Sequence, residues 1–238
     1  SYSAGEFVRD AYREMDDILA HGRIPLLVGG TMMYFRALTR GIAKLPGADE
    51  ETRRAIDKEA EERGWPALHA ELEQVDPNAA ARIKPNDRQR IQRALEVYRV
   101  SGTPLSEWQR DSAPARGDFE YLKIGLNIEP RSLLHERCAE RLDAMMNERF
   151  VDEVEALRMR PGLTPEHPSM RAVGYRQVWQ HLAGEYELAE ARDRALYATR
   201  QLAKRQITWL RSEEDVFVVD PLEPGAVDAI SAFLARSL

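Results

Sequence analysis

The stretch IPLLVGGTMMYFRAL, residues 24–38, determines how the rest of the chain is interpreted. Its apolar run at residues 24–28 predicts a strand covered on both faces, followed by a glycine turn and a helix that begins near Thr31. Such a turn often holds a phosphate group, because the first N–H groups and the dipole of the helix favour an anion. Gly29 and Gly30 would allow close backbone approach, and Thr31 would add a hydroxyl group. An ordinary strand-to-helix turn explains the same pattern.

The segments on either side extend this stretch into an α/β fold. The periodicity predicts a helix at residues 4–21, and helix, strand, turn and helix form half of a doubly wound layer. Ser169 is a plausible N-cap for one of the later helices. Strands are predicted at 120–129 and 215–220, and helices at 130–158 with a break near Asn147–Phe150, at 167–184, at 187–212 and at 223–236.

Residues 49–111 differ in character, because they contain no convincing strand pattern. Helices are predicted there at 49–63, 66–74, 77–82 and 87–101. We therefore expect three parts: residues 1–46 as the first part of an α/β core, residues 47–118 as an all-helical insertion, and residues 119–238 as the second part of the core.

Composition limits the classes of function. Hydrophobic residues make up 43% of the 238 residues and charged residues 31%, and no apolar run approaches the ~18 residues of a membrane helix. Cys138 is the only cysteine, and the five histidines lack a zinc-ligand spacing. The net charge of -6 argues against nucleic-acid binding. Residues 82–99 nevertheless hold six basic and two acidic side chains, and the local field decides what binds.

The predicted helix at 87–101 divides its residues between two faces. Ile91, Ala94 and Leu95 share an apolar face with Tyr98. The opposite face carries arginine and glutamine, which bind phosphates and base edges, with Glu96 as the lone acid. A merely solvated face explains the pattern equally well. The residues of this second face are Arg88, Gln89, Gln92, Arg93 and Arg99.

Two later helices carry further basic residues. Arg171 and Tyr175 are spaced i, i+4 with Arg176 beside them, and Gly174 costs a helix about 1 kcal/mol against alanine. Close approach of a ligand or of another backbone would explain the glycine, as would ordinary core packing. Residues 198–212 carry a basic stripe of Arg200, Lys204 and Arg211, with Arg205 on the opposite side; a polyanion or solvent would suit the stripe equally well. Catalytic triads and paired carboxylates do not stand out.

Together these segments resemble one family, the tRNA dimethylallyltransferases (isopentenyltransferases) of the bacterial type. The resemblance runs from residue 2 to about 212. It rests on YSAGEF (2–7), LLVGGTMMYFRAL (26–38), NDRQRIQRALEVY (86–98), PSMRAVGYRQVW (168–179) and ATRQLAKRQITWLR (198–211).

The resemblance implies a P-loop-NTPase-like parallel-sheet core with a helical insertion that grips the anticodon stem-loop of tRNA. It implies transfer of a dimethylallyl group from dimethylallyl diphosphate to the N6 amine of the adenosine 3′-adjacent to the anticodon. Mg²⁺ is the expected cofactor, and a cytoplasmic monomer that contacts no membrane is the expected form.

The resemblance also implies roles for individual residues. Thr31 would be catalytic, between the diphosphate and the target nucleotide. The diphosphate would contact Gly29, Gly30, Thr31, Arg176 and Arg205. The tRNA would contact Thr31, Arg53, Gln89, Arg90, Ile91, Gln92, Arg93, Arg171, Ala172, Val173, Gly174, Tyr175 and Arg176. No residue is assigned to a metal.

One departure from the family matters. Its members carry a phosphate loop similar to GPTASGKT and an aspartate that acts as general base, and these 238 residues contain neither. We expect both upstream, and we expect the chain as it stands to be inactive. Three alternatives remain: a non-catalytic RNA-binding protein, a nucleotide-type phosphotransferase, for which the insertion would have no use, and an adenylate-type isopentenyltransferase.

Overall fold

A computed structural model describes residues 2–110 and 115–238. Most of the described residues are helical, and two short strands form the sheet. The helices are α1 (Ala4–Ala20), α2 (Met32–Arg40), α3 (Glu50–Arg63), α4 (Trp65–Val75), α5 (Pro77–Ala80), α6 (Arg88–Ser101), α7 (Leu105–Arg110), α8 (Arg131–Asn147), α9 (Phe150–Arg158), α10 (Tyr175–Leu182), α11 (Leu188–Arg211) and α12 (Ala226–Ser237). The strands are β1 (Lys123–Leu126) and β2 (Val216–Val219), and Pro168–Arg171 forms a 3₁₀ helix.

The described chain divides into two compact units. One contains residues 28–32 and 121–238, and we call it the sheet unit. The other contains residues 2–27 and 33–120, and we call it the helical unit. The three-part division proposed from the sequence stays a prediction.

The helical unit is built on an apolar cluster between α3, α4 and α6. Ile56, Leu68, Leu72 and Ile91 have no exposed surface. Each such side chain stabilises the fold by about 1.5–3 kcal/mol relative to an exposed one. The predicted apolar face of α6 is therefore confirmed at Ile91, Ala94 and Leu95.

In the sheet unit, β1 and β2 pair in parallel, with Lys123 opposite Val216 and Leu126 opposite Val219. A Cβ atom at Gly125 would lie 2.6 Å from a methyl carbon of Leu210, so the glycine lets α11 pack closely on β1. Further apolar clusters join α8 to α11 and α9 to α10. The predicted strands at 120–129 and 215–220 are thus confirmed, each in a shorter form.

The strand predicted at residues 24–28 is wrong, because these residues have no regular secondary structure. Ile24, Leu26 and Val28 are 64%, 83% and 85% exposed. A strand requires backbone hydrogen bonds to a neighbouring strand, and no strand among the described residues pairs with this segment. The apolar pattern indicates a tendency to be buried, but it does not identify a strand that would pair with this segment.

The single helix predicted at residues 167–184 is also wrong. The chain forms the 3₁₀ helix Pro168–Arg171, then a turn, and then α10. Gly174 has φ +93°, a conformation that a continuous α-helix does not contain, and Ser169 caps no helix. The break predicted near Asn147–Phe150 is confirmed, because α8 ends at Asn147 and Arg149 has φ +71°.

Candidate functional site

The turn at Gly29, Gly30 and Thr31 lies directly before α2 and is exposed. The Gly30 carbonyl oxygen accepts a hydrogen bond of 3.1 Å from Nε2 of Gln206 on α11. A Cβ atom at residue 30 would collide with that amide, so a larger residue would force Gln206 to move. The turn therefore keeps an accessible backbone next to a helix start, which suits an anion.

The basic residues of α11 differ in their surroundings. Arg205 and Lys204 are exposed. Arg200 is half-buried, and its Nε atom has no hydrogen-bond partner among the described residues. The predicted basic stripe is therefore interrupted at Arg200, whereas Arg205, on the opposite side, is exposed to solvent.

The turn before α10 is fixed by Gly174 and Gln177. The buried side chain of Gln177 accepts a hydrogen bond of 2.9 Å from the Gly174 N–H. A Cβ atom at Gly174 would lie 3.1 Å from Cζ of Phe150, and its positive φ would strain any L-residue. The conformation needs glycine at this position.

The predicted residues around this turn occupy different environments. Arg171, Ala172 and Arg176 are exposed, and Val173 is half-buried. The Tyr175 hydroxyl donates a hydrogen bond of 2.6 Å to Glu153, and this bond together with burial raises the tyrosine pKa. Because the helix starts only at Tyr175, the i, i+4 stacking predicted for Arg171 and Tyr175 is wrong.

The predicted RNA-binding residues of α6 differ in their exposure and in their hydrogen bonds. Gln89 and Arg90 are exposed, whereas Ile91 is fully buried in the helical core. Gln92 donates a hydrogen bond of 2.8 Å to Asp57 on α3. Arg93 donates to Glu96 at 2.8 Å and to the carbonyl oxygen of Pro46 at 2.7 Å.

Glu96 is the residue whose importance the sequence did not reveal. It is fully buried, yet it receives Arg93 from its own helix and Arg53 from α3, the latter through Nε at 2.9 Å. The Asp49 N–H also donates to it at 2.8 Å. Burial alone would raise the pKa of Glu96, but these hydrogen bonds outweigh burial and lower it. The available signal was an acid standing alone among basic residues.

The described residues, 2–110 and 115–238, lack two kinds of feature. They contain no group of three or more histidine, cysteine, aspartate or glutamate side chains that could hold a metal ion. None of their helices combines the length and the apolar character needed to cross a bilayer.

Solved structures are similar to this chain over nearly its whole length. A full-length tRNA isopentenylpyrophosphate transferase from Bacillus halodurans is 32% identical, with a TM-score of 0.66 over 99% of this chain and 74% of that chain. A eukaryotic dimethylallyltransferase, described as acting on tRNA, is 25% identical, with a TM-score of 0.73 over 99% of this chain and 61% of that one. The neighbours define a class of tRNA-modifying transferases, and the predicted fold class is confirmed.

Sequence relatives narrow the class of protein to one family. A tRNA dimethylallyltransferase of Burkholderia cenocepacia is 52% identical over all of this chain and 74% of its own length. One from Stenotrophomonas maltophilia is 52% identical over 99% of this chain and 77% of its own length. The pattern of the family described as IPP transferase matches residues 1–213. The chain belongs to the IPP transferase family.

Proposed function

We propose that the protein transfers a dimethylallyl group from dimethylallyl diphosphate to the exocyclic N6 amine of the adenosine directly 3′ of the anticodon in tRNA. The observation that carries the proposal is the family match over residues 1–213, together with the names of relatives about half identical to this chain. The transfer forms a bond from N6 to the allylic carbon, breaks the bond from that carbon to oxygen, and releases diphosphate and one proton.

The leaving group decides which protein groups the reaction needs. An aromatic amine is a poor nucleophile, so negative charge on the departing diphosphate must be stabilised as it develops. We assign this task to the N–H groups of Gly29, Gly30 and Thr31 and to the guanidinium groups of Arg176 and Arg205. The exposed turn and the two exposed arginines support the assignment. Thr31 would lie between the diphosphate and the target nucleotide.

Mg²⁺ would be the usual companion of a diphosphate. The described residues do not gather carboxylates or histidines into a cage for it, so no residue of this chain is assigned as its ligand and no step is derived through it. The acceptor of the amine proton is likewise not assigned to any of these residues.

We assign tRNA binding to two surfaces, one in each unit. Arg53, Gln89, Arg90, Gln92 and Arg93 would contact the anticodon stem-loop from the helical unit. Residues 171–176 would contact it from the sheet unit. Guanidinium and amide groups suit phosphates and exposed base edges, and the target adenine must leave its stack to meet the allylic carbon. Ile91 is buried, so its contribution is to hold α6 in place.

The location of the protein follows from the same proposal, and its oligomeric state is a separate expectation. A tRNA-modifying enzyme works where tRNA is used, so we expect it in the cytoplasm, and we expect a monomer. Sedimentation at micromolar concentration with and without tRNA tests the second expectation. A dimer in both samples would contradict it.

The testing experiment is transfer of a labelled dimethylallyl group by the full gene product. An anticodon stem-loop with an adenine-rich loop should be labelled, and AMP should not. Labelling of AMP in preference to RNA would identify the adenylate-type alternative, and RNA binding without labelling would identify a non-catalytic RNA-binding protein. A protein limited to these 238 residues should bind the stem-loop without labelling it, because it lacks a GxxxxGK[ST] loop.

A further inference from the structure

We propose that Glu96 is a positioning residue for tRNA recognition: its buried carboxylate holds the guanidinium groups of Arg53 and Arg93 at the RNA-facing surface of the helical unit. This inference rests on the proposed function. It adds Glu96 to the residues that tRNA recognition would need, although Glu96 would not itself touch the RNA. All of its supporting contacts lie within the helical unit.

The first observation is the number of groups that share one carboxylate. Oε1 of Glu96 accepts from Arg53 Nε at 2.9 Å and from the Asp49 N–H at 2.8 Å. Oε2 accepts from Arg53 Nη2 at 3.2 Å and from Arg93 Nη1 at 2.8 Å. The acceptor sites of the carboxylate are thus used by two arginines and one backbone group.

The second observation is the difference in exposure. The Glu96 side chain is 1% exposed, whereas the side chains of Arg53 and Arg93 are 39% and 29% exposed. The ion pairs therefore hold the guanidinium groups of two side chains that remain partly exposed, and Nη2 of Arg93 also donates to the Pro46 carbonyl oxygen. Arg53 uses Nε and Nη2 for Glu96, so its Nη1 edge is not part of that pair.

The third observation is the balance of charge. Two guanidinium groups share one carboxylate, so these three side chains carry a net charge of +1. The nearby Asp49 carboxylate accepts a hydrogen bond from the Thr52 N–H at the start of α3. A positive charge in a fixed position binds a phosphate better than one on a mobile side chain, since less conformational entropy is lost on binding.

The opposite interpretation makes the opposite prediction. If Glu96 only neutralised the two arginines to stabilise the contact of α3 with α6, its removal would release cations and tighten RNA binding. If it positions them, removal would loosen them and weaken binding. The sign of the change in affinity separates the two interpretations, even though both expect a lower stability.

The test compares Glu96→Gln with Glu59→Gln in the full gene product. Glu59 lies between the same two helices but binds Arg99 instead, at 2.8 Å, and is the matched control. The dissociation constant for an anticodon stem-loop should rise about tenfold for Glu96→Gln, as for the loss of an arginine contact, and stay unchanged for Glu59→Gln. The slope of log affinity against log salt should become shallower, because fewer phosphates are neutralised.

Kinetics and a second substitution complete the test. In the transfer assay, KM for tRNA should rise in Glu96→Gln, while KM for dimethylallyl diphosphate should not. Adding Arg53→Ala to Glu96→Gln should weaken binding by less than Arg53→Ala does in the wild type, because both changes remove the same contact. If Glu96→Gln does not fold, Glu96→Asp keeps the charge, is too short to hold all three donors, and should weaken binding in the same direction.

Unchanged or tighter RNA binding by a folded Glu96 variant would overturn the inference while leaving the proposed function intact. A wild-type protein that fails to bind the stem-loop would sink both.

Discussion

The side-chain amide of Gln206 donates a hydrogen bond of 3.1 Å to the carbonyl oxygen of Gly30, which joins α11 to the turn before α2. The two residues lie far apart in the sequence but within the sheet unit. The turn assigned to the diphosphate is therefore held by a residue that carries no charge and that no phosphate motif would have identified.

Gln206→Ala should weaken binding of the prenyl donor. One hydrogen bond contributes about 1 kcal/mol, so KM for dimethylallyl diphosphate should rise roughly fivefold while KM for tRNA stays within twofold. Gln201→Ala, on the same helix, is the matched control and should change neither constant. Equal effects of the two substitutions on KM for the donor would show that the contact with Gly30 has no special role.

Arg93→Ala should weaken tRNA binding and spare the prenyl donor. The loss of one arginine contact should raise the dissociation constant for an anticodon stem-loop by about tenfold. Arg99→Ala is the control, because Arg99 lies on the same helix but pairs with Glu59 and Glu71. Binding is measured well below the melting temperature of each variant. Unchanged affinity of Arg93→Ala would remove α6 from the proposed tRNA surface.

Gly174→Ala should destabilise the sheet unit by about 1–3 kcal/mol, because φ is +93° and the new methyl group would press against Phe150. Gly184→Ala introduces similar strain at φ +82° but meets open space, so it isolates the backbone contribution. Urea unfolding of both variants gives the comparison. We expect the larger loss at Gly174, and equal losses would mean that the Phe150 contact relaxes at no cost.

Acid should remove part of the stability that Glu96 provides. The pKa of Glu96 is lowered below its ordinary value of 4.5, so the unfolded chain binds a proton more readily than the folded one. The contribution is complete above pH 4.5 and is lost as the pH falls through the folded pKa. The free energy of unfolding of Glu96→Gln should therefore change less than that of the wild type between pH 7 and pH 3. An identical pH dependence of the free energy of unfolding in both proteins would contradict the lowered pKa of Glu96.

The sequence predicted α3 and α6 well, because their signals are local. The helices predicted at 49–63 and 87–101 agree with α3 and α6 to within a residue or so. Each is preceded by an N-cap aspartate whose side chain accepts a backbone hydrogen bond, from Thr52 in α3 and from Arg90 in α6. Apolar spacing and capping residues are enough to define such elements.

The sequence failed where the outcome depended on distant partners. Residues 24–28 have the composition of a buried strand, but pairing is a property of two segments and cannot be read from one of them. The role of Glu96 depends on Arg53, which lies 43 residues away on another helix. The role follows from the packing of α3 against α6, which places the two side chains together.

The pairing of β1 with β2 has a consequence for the order of folding. Lys123 and Val216, which face each other in the sheet, lie 93 positions apart, and the chain between them includes α8 to α11. Closing so long a loop costs entropy before any strand contact repays it, so contacts of this kind form late. In the helical unit, α3, α4 and α6 pack against one another across shorter stretches of chain. Pulsed hydrogen exchange during refolding should therefore protect α3, α4 and α6 before the amides of β1 and β2.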